Sequence, residues 1–96
     1  MPITVELWTE IVEPKVEARL EGLVVPEEVR TNPRLDVLKW VDPWGDTVFN
    51  RAQCGQLLEE LEIVADAFDQ VHLAELRELA TRAFRDVHTY LVFVGD

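Results

Sequence analysis

Side chains able to do nucleophilic chemistry are scarce in this chain. It contains no Ser, so a Ser-His-Asp triad has no nucleophile. Cys54 is the single thiol, and His72 and His88 are the only candidate bases for it. Cys54 opens an apolar series (Cys54, Leu57, Leu58, Leu61, Val64, Ala65, Phe68) with helical spacing, which places it in a core. One Cys and two His sixteen residues apart do not make the three- or four-ligand set of a zinc site, so no metal or cofactor is expected. Gly22, Gly45, Gly55 and Gly95 are too scattered to form a phosphate-cradling loop. Asp42, Asp46 and His88 remain as an acid–base set for a small hydrolase or isomerase, provided the fold brings them into one pocket. Turns use Asp in the same way to bond their own backbone. The sequence is therefore read as non-enzymatic.

Binding chemistry is better represented. The stretch from Glu59 to Asp69 carries Glu59, Glu60, Glu62, Asp66 and Asp69, in and just after the second half of an expected helix. Acids there oppose the helix dipole, at about 0.3–1 kcal/mol each when near the end. Glu59, Glu62 and Asp66 are spaced three and four apart, on one outer face, and Ile63 sits among them. An apolar residue ringed by acids is a candidate anchor for a basic partner. The competing reading is a solvated face whose last acids, Asp66 and Asp69, serve the next helix N-terminus. Trp44, between Pro43 and Gly45 in a turn, is the second candidate anchor.

The charge agrees with such a partner. Nineteen acids against nine bases give a net charge of −10 in 96 residues, divided as ten against five in residues 1–50 and nine against four in residues 51–96. Phosphate binding needs clustered cations, so direct nucleic-acid binding and attraction to anionic membranes are not expected. A basic protein surface is what this field attracts. The N-terminus lacks a signal-peptide pattern, the longest apolar run is Leu91–Val94, and a lone Cys cannot form an internal disulfide. The expectation is a cytoplasmic protein of one domain, 1–96, as monomer or homodimer.

The elements that would position these residues read as follows. Residues 3–12 fit a strand with Ile3, Val5, Leu7 and Ile11 on one face, and also a helix with Val5, Trp8 and Val12 aligned. We prefer a strand over about 3–11, then a short helix starting at Pro14 and stopped by Gly22. Residues 23–35 form a connector with one helical turn at Pro26–Val29. Residues 36–41 read as a strand and 42–45 as a turn. Trp8 and Trp40, on strands, are expected in the core or on the sheet's open face. Asn50 and Gln53 form a capping box with Phe49 as its hydrophobic staple. A helix through Phe68 follows, then a second bearing Leu73, Leu76, Leu79, Ala80, Ala83, Phe84 and Val87. The closing run Thr89–Val94 is apolar on both faces and reads as a buried central strand. The sum is α+β, a small sheet of about three strands packed against an antiparallel helical hairpin.

Residues 42–50 (DPWGDTVFN), with Gln53 and Leu57–Leu61 (LLEEL), resemble a pattern in small uncharacterised bacterial proteins that also end in an aromatic strand and Gly-Asp, as Tyr90–Asp96 does here. As a type, small acidic single-domain bacterial proteins resemble immunity proteins and antitoxins. That likeness implies inhibition of a basic toxin such as a nuclease. A DNA-mimic inhibitor and a homodimeric structural protein are the other non-enzymatic readings.

Overall fold

The structure, a computed structural model, describes residues 2–10, 13 and 15–95. Along the chain run β1 (Pro2–Thr9), β2 (Lys15–Val24), α1 (Glu27–Arg30), β3 (Asp46–Phe49), α2 (Arg51–Ile63), α3 (Gln70–Arg85) and β4 (Thr89–Val94). Single turns of 3-10 helix occur at Leu38–Trp40 and Ala65–Ala67. The strands lie in the order β2-β1-β4-β3, each antiparallel to its neighbour. The α+β class stands, but the sheet has four strands and not about three.

β1 owes its form to period-two alternation. Ile3, Val5 and Leu7 are buried, while Thr4, Glu6 and Trp8 lie half-buried on the open face. Ile11, assigned above to the buried side, and Pro14 lie outside the described residues. Glu10 and His88 both have positive φ, and the Glu10 N–H donates to the His88 carbonyl at 2.8 Å. The β1–β4 pair thus ends on two left-handed residues.

Residues 15–24 are a strand and not the expected short helix. Glu, Ala, Arg and Leu favour a helix here, but β1 would otherwise leave one row of backbone donors and acceptors unpaired. Ala18 and Leu20 turn inward opposite Leu7 and Val5, and Glu21 and Gly22 together oppose Thr4. Gly22, at φ +77°, is therefore the left-handed residue of a β-bulge and not a helix stop. Both structures call for a glycine at positive φ, so the residue alone does not tell them apart.

Residues 36–41 are a loop with one 3-10 turn instead of a strand, and Trp40 is 68% exposed instead of packed. Trp8 does lie on the open face, its indole N–H donating to Glu6 at 2.9 Å. The fourth strand is β3, short and at the edge, pairing Asp46 to Phe49 with Val94 to Leu91. β4 is interior, as expected. Leu91 and Phe93 enter the core, and Val92 is shut off from water between Glu6 and Val48 on the other face.

α2 starts where the sequence places it. The Asn50 side chain accepts from the Gln53 N–H, and the Gln53 side chain accepts from the Asn50 N–H, both at 2.9 Å. Phe49, just before the cap, is buried edge-on to Phe93 with ring centroids 5.5 Å apart. α2 ends at Ile63, earlier than Phe68. Phe84 and Val87 are exposed, departing from the expected apolar stripe. The Phe84 ring lies against Gly55, where a β-carbon would come within 2.7 Å of it. α2 and α3 also touch where Arg51 donates to the Phe84 carbonyl at 2.7 Å and where Arg77 pairs with Glu62 at 2.8 Å.

Candidate functional site

The five acids between Glu59 and Asp69 take different roles. Asp69 caps α3, accepting from the Val71 N–H at 3.1 Å, and lies 3.6 Å from His72. Glu62 pairs with Arg77 and remains mostly exposed. Glu59 and Asp66 are exposed, with no hydrogen bond or ion pair among the described residues. The reading in which the last acids serve the next helix holds for Asp69. It does not hold for Asp66, which is the middle residue of the 3-10 turn that follows α2.

Glu60 is the residue that sequence reasoning missed. It is fully buried. One carboxylate oxygen accepts from the backbone N–H groups of Asp36 and Val37 at 2.9 and 3.0 Å, the other from Val37 and Leu38 at 3.1 and 2.9 Å. Gln56, one turn back, donates at 3.1 Å. Burial alone pushes this carboxyl up, but the N–H groups of Leu38, Asp36 and Val37 and the Gln56 amide outweigh it and hold it below the usual range. This also explains why residues 36–41 are no strand: the N–H groups of Asp36, Val37 and Leu38 go to a side chain. The only sequence signal was spacing, since Leu57, Glu60, Leu61 and Val64 share one helical face.

A depression of about 300 Å³ forms at the C-terminal end of α2. α1 and the residue after next supply Glu28, Val29 and Asn32; α2 and the turn beyond supply Ile63, Val64, Asp66 and Ala67. Val29 and Val64 are buried, Ile63 is 40% exposed, and Glu28 and Asp66 are exposed. Ile63 therefore shares the depression with acidic residues from two elements, with Glu59 one helical turn away. Glu28 was not among the expected site residues, because nothing in the local sequence brings α1 to the end of α2.

Trp44 lies elsewhere, 67% exposed. With Pro43, Val41, Ile3, Val25 and Arg30 it lines a second pocket, of about 140 Å³. α1 stands between the two, giving Arg30 to one and Glu28 and Val29 to the other. The turn holding Trp44 is fixed from within. Asp42 accepts from the Trp44 N–H at 2.9 Å, and the Asp42 N–H donates to the Thr47 hydroxyl at 3.0 Å. Gly95 packs on the same turn, its N–H donating to the Gly45 carbonyl at 3.1 Å. A β-carbon on Gly95 would meet the Gly45 and Asp42 backbone at 2.5–2.7 Å. The Asp42–Asn50 segment and the terminal strand, which carry the resemblance noted above, are thus one structural unit.

No family model, curated protein or solved structure matches the chain.

The acid–base set is not assembled. Asp46 pairs with Val94 at one end of β4, and His88 lies before the other end. Six strand steps separate them, about 20 Å at ~3.3 Å per residue. Cys54 is fully buried, and desolvation pushes its thiol up to about 12 despite a backbone contact with Leu91. It lies 3.9 Å from the Phe49 carbonyl. Among the described residues no group of three or more His, Cys, Asp or Glu is placed to hold a metal ion. No helix among them is long and apolar enough to cross a membrane.

Proposed function

We propose that this chain is a non-enzymatic, acidic protein-binding domain, immunity- or antitoxin-like, that covers a basic surface on a partner such as a nuclease toxin. The observation that carries the reading is the depression that Ile63 lines together with Glu28 and Asp66, acids from separate elements beside one partly exposed apolar side chain. Buried apolar contact supplies affinity at such a site, while the surrounding charge steers encounter and rejects acidic partners. The net charge of −10 extends that steering over the whole molecule. In this reading α2 and α3 act as an antiparallel pair, consistent with the Arg51–Phe84 and Glu62–Arg77 contacts, and hold the depression rigid. Glu59 and Glu62 form the outer rim. Asp69 serves as a helix cap, with Trp44 as a separate anchor. The setting we propose is cytoplasmic.

The test is a tagged chain used as bait in its native lysate, beside a Glu28→Lys/Asp66→Lys variant and a Glu27→Lys/Glu75→Lys control. A basic protein is expected to be retained by the wild type and the control, to be lost by the first variant, and to elute as salt rises. Equal retention by all three baits, or capture of only acidic proteins, would overturn the reading.

A further inference from the structure

The pocket beside Trp44 carries a charge opposite in sign to the net charge of the chain. Its walls are Ile3, Val25, Val41, Pro43 and the Trp44 indole, and its one charged lining residue is a cation, Arg30. In a chain with nineteen acids and nine bases, that placement is against the odds. Arg30 has no ion-pair partner among the described residues, as Arg34, Arg51 and Arg82 also do not. A guanidinium presents a planar fork of donors that matches a carboxylate.

The pocket is also built in advance. Residues leading into the loop are fixed by Glu60 through three backbone N–H groups. The turn itself is fixed by Asp42 and Thr47, and its far side by Gly95. The Trp44 backbone is thus held on a clamped turn, so a ligand would have to order only the indole side chain. The volume of about 140 Å³ approaches that of apolar cavities, about 150 Å³, that admit a benzene ring.

We propose that this pocket binds a small free apolar carboxylate, one ring or branched alkyl group on the Trp44 side with its carboxylate on Arg30. The site is distinct from the acid-rimmed depression across α1; it shares Trp44 with the second anchor proposed above, but ligand binding here does not depend on that partner.

The experiment follows the indole and backbone N–H signals of the isotope-labelled chain by NMR while phenylacetate, 4-methylpentanoate or neutral phenylacetamide is added, to about 10 mM, well above a Kd of ~1 mM. Expected are saturable shifts at Trp44 and Arg30 with both acids, and about tenfold weaker binding of the amide, as loss of a charged hydrogen bond implies. Arg30→Gln should abolish that preference while leaving the spectrum folded, since Arg30 is exposed. Trp44→Ala should weaken acid and amide alike. Absent shifts, equal acid and amide affinities in the wild type, or an unchanged preference in Arg30→Gln overturns the proposal. So does binding of a peptide with a C-terminal Phe when neither free acid binds, an outcome that would point to a protein tail instead.

Discussion

A carboxylate with no exposed surface destabilises a fold unless its oxygens are bonded, and Glu60 satisfies its oxygens with the backbone of a loop. Glu60→Gln keeps the shape but turns an amide N–H₂ toward N–H donors. The expected cost is about 2 kcal/mol or more at pH 7, in the range for hydrogen bonds to a charged group, read as a lower urea midpoint. The folded carboxyl is held below its ordinary value of 4.5. Its contribution is therefore fully present above pH 4.5 and is lost as pH falls through the lower folded value. The gap between wild type and Glu60→Gln should narrow on going from pH 7 to pH 3, and a constant gap would show that the charge is not what holds the loop. Cys54 gives the opposite case, a neutral group kept neutral by burial. With its thiol pushed up to about 12, alkylation of the native protein at pH 8 should proceed only as fast as the chain opens. Rapid labelling with no change in the unfolding rate would contradict that.

Elements with local causes were legible in the sequence. The Asn50–Gln53 cap, the apolar series of α3 and the doubly apolar β4 each carry their pattern within a few residues. Elements whose cause is distant were not. β2 became a strand because β1 lacked a second partner, and residues 36–41 avoided one because Glu60, over twenty positions away, takes their N–H groups. The same division runs through the candidate site. Ile63 and Asp66 were candidates from spacing alone, whereas Glu28 and Arg30 become candidates only with the placement of α1. Two glycines test this division between local and distant causes. Gly22→Ala meets mainly backbone strain at φ +77°, since a β-carbon there comes only within 4.0 Å of His72, and should cost about 1 kcal/mol. Gly95→Ala drives a β-carbon into the backbone of Gly45 and Asp42 and should cost more, about 1–3 kcal/mol, because neither strand end nor turn has a side chain to move aside. Thermal unfolding of both variants checks the order; a smaller loss for Gly95→Ala would mean that the turn and β4 are not mechanically joined.

At the scale of the whole molecule the charge is uncompensated. Four ion pairs between fully charged groups occur among the described residues, most of their partners are exposed, and none changes the net −10. Self-repulsion of that size is screened by salt, because the Debye length shrinks from about 30 Å at 0.01 M to about 8 Å at 0.15 M. Raising sodium chloride across that interval at pH 7 should raise Tm by roughly 2–6 °C, corresponding to about 0.5–1 kcal/mol for a domain of this size. The effect belongs to the summed field and not to any one contact, so it should persist in Glu60→Gln even as that variant loses the acid sensitivity that Glu60 contributes. The two responses then separate a local carboxylate from the global charge. A Tm that falls with salt would instead show that the exposed ion pairs outweigh the repulsion. The acidic surface would then contribute to holding this fold.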